Sequence, residues 1–564
     1  MSQVHVQLDQ RELAVPLDSL LANASRLGVP DVLPGAALLR WAAALARRPR
    51  TTGGRLADLA AELTRVIAGT STISASSRDR RFSDPAWTDN GLLRRTVQAY
   101  LAAAEKALQL VDDAELEERA QKRVRLFVEN LVDALAPSNN MLLNPVALKE
   151  VVNTGGANLG RGLRNLLHDL SSRPRVPSMV DSSQFAVGTN IGATKGSVVL
   201  RTPVLELIQY APITEQVREV PLLMVPPTIN KYYVLDLAPG RSYVEFLLGQ
   251  GQQVFMISWR NPTARHADWN LDTYIHGALE AMDAAREIAG IERVGLHGTC
   301  SGGIVASMAA AHLAGTGRGG ELASLTLAVT VLDQAGAGTA QALVDHKRAA
   351  AAAALSKRVG YLDGAVLAEV FAWLRPNDLI WNYWVNNYLL GQKPPAFDIL
   401  FWNSDTTRMP AQLHRDFLEL SLANKLVTAG DATALGVPVD LSKITADAFI
   451  VGGRTDHITP WQNCYRSTAL LGGKTEFVLS TSGHIAALVN PPTNAKASFQ
   501  TSAHQPTSPA EFVASAETRP GSWWPHYAQW LAARSGKMGP APPTLGTPRF
   551  RPLIDAPGSY VLDT

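Results

Sequence analysis

The sequence predicts an α/β chain: a largely parallel sheet covered by helices, preceded by a mainly helical region and interrupted by a large insertion. Three observations carry this. Residues 1 to about 190 contain Ala- and Leu-rich helical stretches without a strand pattern; from about residue 195 short apolar runs bounded by turn residues alternate with helical ones; and a long stretch without that rhythm separates two of the runs.

In the first region the helical stretches are Leu92 to Leu110 and Leu116 to Leu135, with a Ser-rich break at Ser71 to Ser77. Val32 to Ala46 is apolar apart from Arg40 and includes Trp41. It fits a helix packed inside the N-terminal region better than one lying on a lipid or polymer surface. The strands of the second region are Pro221 to Val225, Gln253 to Trp259, Arg293 to His297, Leu325 to Leu332, Ala446 to Val451 and Thr475 to Leu479, the continuous apolar runs of a parallel sheet buried on both faces. The expected division is a helical domain over residues 1–190 and a catalytic domain over 191–564, with a cap insertion at about 335–440. That insertion carries Trp373, Trp381, Tyr383, Trp384 and Tyr388, a cluster suited to a core or to the wall of an apolar channel. After Thr501 the chain becomes Pro- and Ser-rich, and an extended tail is expected from Pro540.

Composition narrows the function classes. Of the 564 residues 46% are hydrophobic and 18% charged, and 52 Lys and Arg against 50 Asp and Glu leave a net charge of +2. A folded core is therefore expected and a nucleic-acid partner is not. The two cysteines, Cys300 and Cys464, are too few for a disulfide framework or a thiolate metal site, and the histidines lack metal-ligand spacing, so no metal and no redox cofactor is expected. Asp9, Arg11 and Glu12 precede any long apolar run, and no apolar run is long enough to cross a bilayer, so a reducing, cytoplasmic setting is the expectation.

The strongest chemical signal is Gly298-Thr299-Cys300-Ser301-Gly302-Gly303, placed between the strand ending at His297 and a helical stretch with Ile304, Val305 and Met308. This is the nucleophile-elbow pattern G-x-S-x-G with cysteine in the central place. The turn is so tight that side chains two positions either side would collide, which explains the glycines. The helix N-terminus favours a thiolate. An elbow nucleophile needs an acid and then a histidine on later loops. Asp456 follows the strand Ala446 to Val451, and His484 follows the strand Thr475 to Leu479. The order Cys300, Asp456, His484 fits the requirement of an α/β-hydrolase fold, which is the fold expected here, with a large cap insertion. His457 adjoins the acid and is assigned a structural role, because acid and base must come from different loops. His297 reads as a packed strand residue, and Cys464 as a small buried one.

The chain also resembles the polyhydroxyalkanoate synthases, which polymerise 3-hydroxyacyl-CoA into polyester. The resemblance rests on Asp79-Arg80-Arg81-Phe82 with Asp84-Pro85-Ala86-Trp87, on Pro226-Pro227-Thr228-Ile229-Asn230-Lys231 and on Ser258-Trp259-Arg260-Asn261-Pro262. It continues through Trp381-Asn382-Tyr383-Trp384-Val385-Asn386-Asn387-Tyr388, Phe401-Trp402-Asn403-Ser404-Asp405, Asp456-His457-Ile458-Thr459-Pro460-Trp461 and Ser482-Gly483-His484-Ile485, so it spans about residues 78 to 530. Ile399 to Arg408 and Leu205 to Tyr210 look more like the medium-chain, single-subunit type. The resemblance implies a 3-hydroxyacyl-CoA substrate with CoA as leaving group, an acyl-enzyme on Cys300, His484 as base, and Asp456 either orienting the histidine or activating the substrate hydroxyl. It implies a homodimer touching through the cap, a growing polyester chain as partner and association with polyester granules. Backbone N–H groups of Ser301 and of Thr228 or Ile229, the latter preferred, are the expected oxyanion donors. The cap is expected to be mobile, to cover Cys300 and to exclude water. The competing readings are a cysteine-type α/β-hydrolase or thioesterase, which would release free 3-hydroxy acid, and a non-catalytic granule-surface scaffold, against which the intact Cys300, Asp456 and His484 set argues.

Overall fold

A computed structural model describes residues 36–171, 173–335, 346–374, 376–456, 458–504 and 506–564. Helices Ala36–Ala46, Pro49–Ala68, Gly91–Asp113 and Glu118–Ala134 form an N-terminal layer, followed by Pro145–Asn153 and Ala157–Ser171. Their starts are encoded locally. Asn90 accepts hydrogen bonds from the Leu92 and Leu93 N–H groups, and Asn144 from those of Val146 and Ala147, satisfying donors that a helix start leaves orphaned. The described part of the Val32 to Ala46 stretch packs inward: Ala37 and Trp41 sit against Val111, Val124 and Val128, and the Trp41 indole donates to the Leu110 carbonyl at 3.1 Å.

Eleven strands form the main sheet: β1 (Gly196–Arg201), β2 (Leu205–Tyr210), β3 (Leu222–Val225), β4 (Val254–Trp259), β5 (Val294–Thr299), β6 (Leu322–Ala328), β7 (Ala448–Gly453), β8 (Thr475–Ser480), β9 (Ser498–Thr501), β10 (Glu517–Pro520) and β11 (Ile554–Asp555). Their order is β10-β9-β8-β7-β6-β5-β3-β4-β2-β1-β11. The central six, from β8 to β4, are parallel, and β3 to β7 are buried along their whole lengths. This double burial explains their uninterrupted apolar sequence. The flanking strands are antiparallel.

The fold class is the predicted one, with three local differences. The expected strand Leu325 to Leu332 is shifted to Leu322–Ala328, because Val329 turns the chain with φ at +45°. The flanking strands β1, β2, β9, β10 and β11 were not anticipated. The region after Thr501 is more ordered than its Pro and Ser content suggests: it contains helices Pro509–Ser515 and Trp524–Ala532, and Trp523, Trp524 and Tyr527 are among the largest fully buried side chains. The tail beyond Pro540 is pinned where Ser559 and Tyr560 donate backbone N–H bonds to buried Glu206, at 2.8 and 2.9 Å.

Between β6 and β7 lies the insertion, with helices His346–Val359, Gly364–Leu374, Asp398–Ser404 and Ala411–Leu422. Its aromatic cluster faces the N-terminal helices. The Trp384 indole donates to the Asn139 carbonyl at 3.1 Å, the Tyr388 hydroxyl to Asp169 at 2.7 Å, and Trp373 and Trp381 pack around Ala372, Ile380 and Val176. The cluster is thus the core of that seam, and a different part of the insertion reaches the sheet.

Candidate active site

The parallel strands deliver their C-terminal ends to one edge of the sheet, where Val225 pairs with Gly298, Thr299 with Ala328 and Gly453 with Ser480. Loops leaving these ends meet above the edge, the usual ligand position in such sheets. Cys300, Asp456 and His484 all lie on them.

Cys300 sits between β5 and helix Ser301–Gly315 with φ +51° and ψ −122°. Few non-glycine residues adopt this strained conformation. The surroundings hold it there: the Cys300 N–H donates to the Ala328 carbonyl at 2.9 Å, and Thr330 Oγ1 donates to the Cys300 carbonyl at 3.2 Å. A Cβ at Gly298 would lie 2.5 Å from Gly303 Cα, one at Gly302 2.3 Å from the Val225 and Pro226 carbonyl oxygens, and one at Gly303 2.0 Å from Thr330 Oγ1. All three glycines are therefore required by close approach.

Asp456 lies just beyond β7, its side chain fully buried. Its Oδ1 accepts the N–H groups of Ile458 at 2.8 Å and Thr459 at 2.9 Å; its Oδ2 accepts the Thr459 hydroxyl at 2.6 Å and stands 2.7 Å from His484 Nδ1. Burial alone would raise the carboxyl pKa, but the facing His484 and the Thr459 bonds outweigh it and hold the pKa below the usual carboxylate value. His484 opens the short helix His484–Leu488. The indoles of Trp523 and Trp524 donate to the Ala487 and Leu488 carbonyls at 2.7 and 3.0 Å, which anchors the end of that helix. With Nδ1 engaged by Asp456, Nε2 is the nitrogen left for proton transfer. Burial pushes the His484 pKa down; the Asp456 charge and hydrogen bond, with a smaller contribution from Cys300, reverse this and raise it to about 10. The structure thus pairs His484 with Asp456 through a hydrogen bond and brings Cys300 within electrostatic reach of the same imidazole.

Of the two residues considered beside Ser301 as oxyanion donors, Thr228 is already engaged, since its N–H donates to Ser301 Oγ at 2.9 Å. The neighbouring Ile229 N–H has no hydrogen-bond partner among the described residues. The Ser301 N–H lies in the first helical turn, where no intrahelical acceptor is available. Cys464 is fully buried, its thiol pKa raised by burial, and donates to the Thr459 carbonyl at 3.7 Å. His297 packs on Tyr243 and Tyr527, away from Cys300, Asp456 and His484, and burial lowers its pKa to about 4. His457 lies outside the described residues. Sequence reasoning passed over Thr459 and the Ser301 hydroxyl. The first had a readable signal, a Thr three residues after Asp456, the spacing of a side-chain-stabilised turn.

Cys300 is only 6% exposed and shares a buried apolar cluster with Trp402 of the insertion; Ile399 and Phe401 pack against the same cluster. Helix Asp398–Ser404, rather than the Trp373 to Tyr388 cluster, is therefore the part of the insertion that joins the apolar cluster holding Cys300. A groove of about 380 Å³ opens beside it, bordered by Arg241, Ile399, Ser482, Ala486 and Val489, and Arg241 holds both oxygens of Asp398 at 2.6 and 2.7 Å. Among the described residues no helix is long and apolar enough to cross a membrane, and no group of His, Cys, Asp and Glu could hold a metal ion.

Residues 78–247 match the family described as the poly-beta-hydroxybutyrate polymerase (PhaC) N-terminus, and residues 235–491 match the α/β-hydrolase fold. The chain is 45% identical over 515 residues to poly(3-hydroxyalkanoate) polymerase 1 of Ectopseudomonas oleovorans, covering 91% of this chain and 92% of that one. It is 41% identical over 511 residues to the poly(3-hydroxyalkanoate) polymerase subunit PhaC of Cupriavidus necator, covering 89% and 86%. With its elbow cysteine on an α/β-hydrolase sheet behind a helical N-terminal layer, and identity at this level along most of its length, the chain belongs to the poly(3-hydroxyalkanoate) polymerase family.

Proposed function

We propose that this chain polymerises (R)-3-hydroxyacyl-CoA into polyhydroxyalkanoate with release of CoA, through an acyl-enzyme on Cys300. The observation that supports this most is the buried set of Cys300, His484 and Asp456 at the edge of the sheet. In the first half-reaction His484 Nε2 carries the proton taken from the Cys300 thiol, and Cys300 Sγ, as the thiolate, attacks the thioester carbonyl. The C–S bond to CoA breaks, CoA leaves with the proton from His484, and a thioester remains on Cys300. Thioester is exchanged for thioester at nearly equal energy, whereas a serine ester would lie in a deeper well. In the second half-reaction a 3-hydroxyl gives its proton to His484 and attacks the acyl carbonyl, the new ester C–O bond forms, and Cys300 departs and recovers the proton. The N–H groups of Ser301 and Ile229 are the donors for the oxyanion in both steps.

The environment of Asp456 favours an orienting role over activation of the substrate hydroxyl. Its oxygens are occupied by two backbone N–H groups, the Thr459 hydroxyl and the imidazole, and its side chain has no exposed surface. The near-complete burial of Cys300, in the same apolar cluster as Trp402, favours a hydroxyl acceptor over bulk water, and so polymerisation over hydrolysis. Both half-reactions balance without a metal or redox cofactor. The medium-chain preference rests on the wording of Ile399 to Arg408 and Leu205 to Tyr210. A homodimer, a cytoplasmic location and attachment to the growing polyester granule belong to the same reading.

The test is CoA release, followed with a thiol reagent, from 3-hydroxyacyl-CoAs of four and ten carbons by wild type and Cys300→Ala. Insoluble polymer from the ten-carbon substrate, lost in the variant, supports the reading. Free 3-hydroxy acid shows a thioesterase, preference for four carbons overturns the subtype alone, and unchanged CoA release by Cys300→Ala removes Cys300 from the mechanism.

A further inference from the structure

We infer that Asp405, at the end of the insertion helix, is a positioning residue for the second oxyanion donor: it clamps the loop that carries Ile229. The inference rests on the reading of Cys300 as an acyl-accepting nucleophile with Ile229 beside it. The loop from Pro226 to Lys231 leaves the end of β3 and is gripped at both sides of Ile229. On the near side the grip comes from the sheet and elbow. The Trp259 indole donates to the Pro226 carbonyl at 3.1 Å, the Thr228 N–H donates to Ser301 Oγ, and the Thr228 and Ser301 hydroxyls lie 3.2 Å apart.

On the far side the grip comes entirely from the insertion. The Trp402 indole donates to the Lys231 carbonyl at 2.7 Å, and Lys231 Nζ, 5% exposed, lies 2.8 Å from Asp405 Oδ1. The other carboxylate oxygen accepts the Tyr233 hydroxyl at 2.7 Å, and Asn230 forms an antiparallel bridge with Thr406. A nearly buried ammonium is stable only with a partner that supplies its charge and its hydrogen bonds. Asp405 supplies the opposite charge for Lys231 while accepting the hydroxyl of Tyr233, two residues further along. An N–H donor serves an oxyanion only if its peptide plane is held before charge develops. Ile229 is one residue from the bridge at Asn230 and two from Lys231, so its orientation depends on this clamp. Asp405 touches neither Cys300 nor His484 in any hydrogen bond of the described residues, so it would act through the loop alone.

Single-turnover CoA release at saturating 3-hydroxyacyl-CoA tests this in the full chain, beside alkylation of Cys300 by iodoacetamide, a displacement that develops no carbonyl oxyanion. Asp405→Asn is expected to slow acylation by about 10- to 100-fold, less than deletion of a donor outright, with KM changed by no more than about 3-fold. The alkylation rate should stay within about 2-fold of wild type, because Cys300 and His484 are untouched. Tyr233→Phe, which removes one hydroxyl from the clamp, should show the same pattern at about 3- to 10-fold, and it decides the question if Asp405→Asn does not fold by circular dichroism. Asp405→Glu should recover part of the acylation rate. Unchanged acylation in the folded variants, or alkylation falling in step with acylation, overturns the inference. Cys300→Ala run in parallel separates the two levels: if it still releases CoA, the acyl-enzyme reading has failed rather than the clamp.

Discussion

The Thr459 hydroxyl donates to Asp456 Oδ2 at 2.6 Å, on the same oxygen that faces His484 Nδ1 at 2.7 Å. The carboxylate is thereby fixed from its own loop, three residues along, before it engages a histidine from another strand. Thr459→Val keeps the shape and removes that donor. Acylation measured as single-turnover CoA release should fall by about 10-fold, the usual effect of losing a second partner around a working group, and Thr459→Ser should retain most of the rate. Equal rates in Thr459→Val and wild type would show that the backbone N–H groups suffice.

The strain at Cys300 makes a stability prediction separable from activity. Cys300→Ala keeps a Cβ at φ +51°, whereas Cys300→Gly removes it. Glycine tolerates this conformation, so Cys300→Gly should be more stable than Cys300→Ala by about 1 kcal/mol. Both variants should lose CoA release. Denaturant titration of the pair reads the difference, and an alanine variant as stable as the glycine one would mean that the elbow stores no strain.

Close packing at the elbow predicts a compensating pair. A methyl group at Gly303 would meet Thr330 Oγ1 at 2.0 Å and its Cγ2 at 2.6 Å. Gly303→Ala should cost about 1 to 3 kcal/mol, as overpacking does, and adding Thr330→Ala should recover part of this. No recovery in the double variant would place the clash elsewhere.

The buried pair of His484 and Asp456 sets a pH dependence with a definite sign. The His484 pKa is raised from 6.5 to about 10, so its share of stability is complete below about 6.5 and is lost as pH rises through about 10. The lowered Asp456 pKa works at the other end: its share is present above the ordinary carboxylate value and is lost as pH falls through the lowered one. The neutral double variant Asp456→Asn/His484→Gln lacks both. The gap in melting temperature between wild type and this variant should therefore narrow as pH rises from neutrality towards 10. A gap that stayed constant or widened would show that His484 does not hold its proton in the folded chain.

How much of this was legible in the chain follows from the range over which each feature is encoded. The parallel strands could be read because burial on both faces leaves an uninterrupted apolar run. The elbow could be read because its sterics act within a few residues of Cys300, and Asp456 and His484 because each follows a strand in the order the fold requires. All of these signals are short-range. The antiparallel edges carried none: β11 is two residues of a polar tail, and Glu206, which holds that tail through Ser559 and Tyr560, lies some 350 residues away.

The same division runs through the site. Residue types and their order determined that a cysteine, a carboxylate and an imidazole would meet at the edge of a parallel sheet. Which surroundings they meet in was decided only by the folded chain. The Thr228 N–H is taken by Ser301, leaving that of Ile229; the Trp373 to Tyr388 cluster serves the N-terminal seam, while Ile399, Phe401 and Trp402 join the apolar cluster that includes Cys300; and the Trp523 and Trp524 indoles anchor the His484 helix. A hydrogen-bond donor or an aromatic ring carries no mark in the sequence of the partner it will find. Partners far along the chain are chosen by packing, and packing exists only once the whole structure has formed.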